Sequence, residues 1–203
     1  MITKELLEKP RAPQELTEFV ENFVKETKKN REELHSAYLK KGNYKKFIDE
    51  LVPLSIFCKI YYADEDVKIS LTLGNQPYDA IVEKDGYEIE KIEITTPHNG
   101  AESAKESRRL VENRFSETSY EPGEDLEALR PFILAACKKK AKNKYPDCLL
   151  VISINYLPPF EWDKRLYQEK ISSIYEEIKK ITFDAKKVFL LEATQHRLHE
   201  IVR

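Results

Sequence analysis

The segment from Val67 to Thr95 constrains this chain more than any other. Val67, Ile69, Leu71 and Leu73 alternate with Lys68, Ser70 and Thr72, and a period of two marks a strand with one face buried. Gly74-Asn75-Gln76-Pro77 reads as a turn and Tyr78–Glu83 as a second strand. Lys84-Asp85-Gly86 predicts a tight hairpin, because Asp-Gly supplies the positive φ angles of a type I′ turn. Tyr87–Thr95 is then the third strand. An antiparallel meander of this size must bury its apolar face against other elements to be stable. The rest of the chain therefore has to supply them.

It supplies mostly helices. Pro13 suits a first helical position, where its missing N–H costs nothing. Leu16, Phe19, Val20, Phe23 and Val24 follow at helical spacing, and the pattern resumes at Leu34 and Tyr38 before Gly42 ends it. This predicts one long helix or two. Tyr44, Phe47, Ile48, Leu51 and Cys58 predict a further helix over Asn43–Lys59, kinked or near its end at Pro53. After the meander come a polar helix (Ala101–Arg114), a loop (Ser116–Gly123), and a helix over Glu124–Lys144 whose regular part Pro131 limits. Cys148–Asn155 is nearly all apolar at first, as in an interior strand covered on both faces. Trp162–Ile181 is an amphipathic helix, Val188–Leu191 a fifth strand, and Leu198–Val202 a short sixth. The expected fold class is α/β, a mixed sheet between helices. Residues 43–203 form the main domain and residues 1–42 an N-terminal helical extension, which offers a seam for a homodimer.

Composition narrows the function. The longest uncharged apolar stretch, around Leu51–Cys58, is far short of the ~18 residues of a membrane helix. The N-terminus has no apolar signal-peptide core. Cys58, Cys137 and Cys148 are odd in number, without a CxxC, in apolar surroundings. They read as reduced, packed thiols of a cytoplasmic protein. Thirty-four basic residues against thirty-six acidic ones give a net charge of −2, so any polyanion must be met by local charge. Lys138–Lys144 holds five lysines in seven positions. It is either a solvated helix end favoured by the helix dipole or a phosphate-binding patch with Lys105, Arg108, Arg109 and Arg114. No Walker loop, GxGxxG, GxSxG or HExxH motif is present, which removes the commonest nucleotide, hydride, esterase and zinc-protease chemistries. The four histidines show no metal-ligand spacing with a cysteine, which argues against zinc.

The chemistry is expected at Asp79 and Glu93. Asp79 opens the second strand and Glu93 sits late on the third, so counting outward from the hairpin makes them neighbours. Two close carboxylates repel unless a cation or a proton lies between them. A hard divalent ion such as Mg²⁺ or Mn²⁺ suits an all-oxygen site.

With Glu50 on the preceding helix, Asp79 on the second strand and Glu93-Ile94-Thr95 on the third, the chain resembles the PD-(D/E)XK nuclease superfamily. The resemblance covers about Tyr44–Leu191 and implies an αβββαβ restriction-endonuclease-like core. It implies metal held by Asp79, Glu93 and the carbonyl of Ile94, with Glu50 as the helix carboxylate. The implied activity is divalent-metal-dependent hydrolysis of nucleic acid, DNA in preference to RNA. The departure is Thr95, which stands where that family has lysine, and a hydroxyl carries no charge. Lys91 is the first replacement by strand parity, unless a bulge near Glu90–Lys91 moves it away; Lys138, Lys139 or Lys140 is the second. Lys138, Lys139, Lys140, Arg108 and Arg109 are the expected nucleic-acid contacts. The alternative is a nuclease-fold module that no longer cuts and serves in nucleic-acid or protein binding. His98 is either a base or phosphate contact, or a loop histidine capping the next helix with Asn99. Phe160 and Trp162 read as packing rather than base stacking.

Overall fold

The computed structural model describes residues 2–112, 124–156 and 163–201. Its centre is a mixed six-stranded sheet in sequence order. The strands are β1 (Lys68–Leu71), β2 (Ala80–Lys84), β3 (Tyr87–Thr95), β4 (Lys144–Ile154), β5 (Asp184–Glu192) and β6 (Arg197–Glu200). The first three form the expected antiparallel meander, β3, β4 and β5 run parallel, and β6 returns antiparallel. Asp85 and Gly86 have φ of 53° and 81°, the left-handed pair that the hairpin demands.

Helices cover both faces. On one side lie α1 (Lys4–Glu8), α2 (Pro13–Lys29), α3 (Arg31–Tyr38), α4 (Tyr44–Lys46) and α5 (Val52–Tyr61). Leu7, Leu16, Leu51, Leu54 and Phe57 share a core there with Val82, Ile92, Leu149 and Phe189. The N-terminal segment is thus packed into the main core, and a backbone bridge from Arg11 to Ile69 lies along the outer edge of β1. α7 (Glu124–Lys140) and α8 (Asp163–Ile178) build the second core with Leu150, Ile152, Val188 and Leu190. β4 and β5 alternate their apolar side chains between the two cores, which is why CLLVISI lacks polar relief. In sequence, the predicted Ser116–Gly123 loop falls between α6 (Gly100–Val111) and α7. That loop, Arg114, Phe160, Trp162 and Val202 fall outside the described residues.

The N-terminal apolar pattern is two helices, because Asn30 caps the second: its side-chain oxygen accepts from the N–H groups of Glu32 and Glu33 at 3.0 and 3.2 Å. Pro131 lies within α7 rather than ending its regular part. Pro53 does not end its helix either. A π-helical turn, Phe47–Leu51, precedes α5, with the Val52 N–H bonded to the Phe47 carbonyl. Pro53 has no N–H for the Asp49 carbonyl, and the Thr96 hydroxyl donates to that oxygen instead at 2.8 Å. The extra residue of a π turn often marks a functional position; here it keeps Phe47 and Leu51 buried while Glu50 leaves the core.

The bulge that the apolar switch in β3 implies is one step earlier than expected. Val82 pairs with Glu90 and Glu83 with Glu88, so Ile89 is the extra residue and is 42% exposed. From Glu90 onward the face is reset, and Ile92 and Ile94 enter the core.

Candidate functional site

Three carboxylates and two ammonium groups meet where β2 begins and β3 ends. Asp79 precedes the Ala80↔Ile92 pair by one residue. Its own backbone is tied on both sides, with the carbonyl accepting from the Thr72 N–H at 2.7 Å and the N–H donating to the Ile92 carbonyl at 2.9 Å. Its side chain then takes over a place in the ladder: Oδ2 accepts from the Ile94 N–H at 2.9 Å. That bond fixes the carboxylate and directs Oδ1 toward Lys46, whose Nζ is 3.7 Å away.

Glu93 pairs with Leu150 in the parallel ladder and faces the α7 side of the sheet. Its side chain is 10% exposed and meets Lys140, from the last turn of α7, in an ion pair. Glu50, from the π turn, holds Lys46 by two bonds of 2.6 and 2.8 Å. Burial pushes both glutamates up to about 7, with the negative charge of Asp79 next in effect and the lysines opposing. Asp79 is close enough to share a hydrogen bond with either when one of them is protonated. The expected convergence of Glu50, Asp79 and Glu93 is therefore present. Ile94 joins it through its N–H.

Lys91 does not reach the carboxylates. Its Nζ lies 3.3 Å from Glu88 and 5.3 Å from the Tyr78 ring centre, drawn back along the strand to the hairpin side. Lys140 is the lysine that α7 delivers, while Lys138 and Lys139 on the same turn are exposed. Arg108 is exposed and Arg109 half-buried on α6. Lys46 was not among the expected residues. Its spacing of four from Glu50 is the signal for a same-face helical pair, but nothing in the sequence ties it to Asp79.

The residues suit a hard divalent cation. All donors are oxygens, the carboxylates outnumber the ammonium groups, and the Lys46 ammonium already sits as a cation between Glu50 and Asp79. Among the described residues no three His, Cys, Asp or Glu side chains form a ready-made metal cage. Mg²⁺ needs none, since it is commonly held by one or two carboxylates with water and substrate oxygens completing its shell. The three cysteines are free and buried.

The His98 Nδ1 lies 3.0 Å from the Thr96 carbonyl, so it bonds back to its own loop rather than to the helix that follows. No helix is long and apolar enough to cross a membrane among the described residues. Searches of protein-family models, curated proteins and solved structures find no match to this chain.

Proposed function

We infer that the protein is a divalent-metal-dependent nuclease that hydrolyses phosphodiester bonds, in DNA rather than RNA, on a restriction-endonuclease-like core. The observation that carries this reading is Lys140 on Glu93 beside Asp79. A cation arrives from α7 at the carboxylate whose own strand has Thr95 in place of lysine and turns Lys91 to Glu88.

Asp79 and Glu93 would hold Mg²⁺ or Mn²⁺, which supplies charge stabilisation at phosphate and a more acidic bound water. The chain's own groups have separable tasks. The Lys140 ammonium, three donors on a flexible stem, orients water or stabilises charge on a phosphoryl oxygen. Glu50, pushed up to about 7, is partly ionised at neutral pH and can accept a proton, as general-base catalysis requires. Lys46 holds Glu50 and Asp79 in register and offsets one of their two charges without metal.

The test is cleavage of plasmid and oligonucleotide DNA with Mg²⁺ or Mn²⁺, for the wild type, Asp79→Asn and Lys140→Met. Loss of cleavage in both variants supports the assignment. Asp79→Asn should also lose metal binding by calorimetry, and Lys140→Met should keep it. Cleavage unaffected by Asp79→Asn would refute the site. Metal binding without cleavage under any condition would favour the second reading, a binding module in which the two lysines serve only as counter-charges.

A further inference from the structure

We propose that the cleft between the end of α3 and the first turns of α6 binds a backbone phosphate of the substrate strand, adjacent to the one presented to the carboxylates. This rests on the phosphodiesterase reading above and adds a binding subsite to it.

The cleft has a volume of about 270 Å³ and is lined by Lys40, His98, Ser103, Ser107 and Arg108 among others, with no aspartate or glutamate among the described residues of its wall. In a chain with thirty-six acidic residues, a cleft that presents the Arg108 guanidinium and two serine hydroxyls favours anions, and the Lys40 charge there is shared with Asp49. Its parts are held in place. Lys40 Nζ lies 2.5 Å from Asp49 Oδ1, and the Ser107 hydroxyl donates to the Ser103 carbonyl at 2.7 Å. The Thr96 carbonyl can only accept, so His98 Nδ1 carries the proton of that 3.0 Å bond, leaving Nε2 for a ligand. Arg108 is exposed and makes no ion pair among the described residues. Its planar fork suits phosphate oxygens.

The cleft is joined to the candidate site through one short stretch of backbone. Asp49, which anchors Lys40, also accepts the Thr96 hydroxyl through its carbonyl, and the next residue is Glu50. Thr96 in turn follows Thr95 at the end of β3 and leads to His98. The cleft and the carboxylates are thus linked through the π turn and the β3 exit by the Lys40–Asp49 and Thr96–Asp49 contacts. A strand with one phosphate at the carboxylates would meet Arg108 as a second cationic stop on this side. The carboxylate cluster, with its lysines already paired, offers a polyanion little attraction in the absence of metal, and such a stop supplies it.

The experiment measures binding of a fluorescein-labelled DNA oligonucleotide by anisotropy, in EDTA and across 50–300 mM salt, for the wild type, Arg108→Gln and His98→Ala. Neither variant touches the carboxylate cluster, and unchanged urea unfolding midpoints confirm intact folds. Arg108→Gln should weaken binding about 3- to 10-fold at low salt and reduce the slope of log K against log salt by about 0.9, one phosphate contact. A scan of single neutral methylphosphonates along the strand should show a position where the wild type loses affinity and Arg108→Gln loses nothing further. Affinity and slope unchanged in both variants would overturn the subsite, even if the wild type cleaves DNA. Binding that depends on Arg108 without any cleavage would retain the subsite and refute the nuclease. Absence of wild-type binding at the lowest salt would overturn the subsite, whereas the nuclease reading stands or falls on cleavage with Mg²⁺ or Mn²⁺.

Discussion

Replacing Lys140 by Met removes a cation from a carboxylate that is 10% exposed and leaves the rest of the contact in place. Two charges about 4 Å apart interact by about 4 kcal/mol at the effective dielectric of a partly buried pair. Breaking such a pair from one side costs about 3–5 kcal/mol when the remaining charge cannot escape. Here it can, by taking up a proton, so the cost must depend on pH. With lysine present Glu93 lies at about 7; without it the carboxyl moves further up, since burial and Asp79 then act unopposed. Well below the wild-type value both proteins carry a protonated Glu93, and the variant loses little more than packing, about 1 kcal/mol. Above it the wild type stops losing stability to this ionisation while the variant, whose folded carboxyl titrates higher, goes on losing about 1.4 kcal/mol per pH unit, and the deficit grows toward about 3 kcal/mol at pH 8.5. For a chain of this length that is roughly 6–12 °C in Tm. Urea unfolding at pH 5.5 and pH 8.5, in EDTA, measures both ends. A deficit equal at the two pH values would refute the view that Lys140 acts on Glu93 through charge.

The same carboxylates set the pH dependence of the whole protein. Glu50 and Glu93 titrate higher folded than unfolded, so their protonated forms favour the fold; this stability is present below the ordinary glutamate range and is lost as pH rises to about 7, by about 1.4 kcal/mol for each tenfold difference between folded and unfolded proton affinity. Metal-free protein should therefore have a lower urea midpoint at pH 8 than at pH 5, with Mg²⁺ restoring part of the difference at pH 8 only; stability rising over that range in EDTA would contradict it. Thr96→Val should cost about 1–2 kcal/mol by chemical denaturation, because the Asp49 carbonyl next to Pro53 loses its donor, and it should lower activity by loosening Glu50. Gly86→Ala, at a φ of 81°, should destabilise by about 1 kcal/mol through strain in the hairpin without altering metal affinity; no loss of stability would mean that the turn relaxes to another form.

The sequence alone determined the meander, the interior strand and the pairing of Asp79 with Glu93. Each follows from local rules: a period of two, an Asp-Gly turn and a nearly unbroken apolar run leave few alternatives within one or two strands. Glu50 was legible for a weaker reason, its place on a helix before the meander. Which cation meets Glu93 depends on the packing of distant elements. Lys91 has the right parity, yet parity fixes a face and not a direction along it, and Glu88 draws the side chain away toward the hairpin. Lys140 is forty-seven residues from Glu93 in sequence, and its arrival depends on how α7 packs over β4, a long-range contact that no local pattern encodes. The π turn at Phe47–Leu51 belongs to the same class. Pro53 announces that a carbonyl will lose its donor, but that Thr96 replaces the donor, and that Lys46 then bridges Glu50 to Asp79, follows only when helix and sheet edge are brought together.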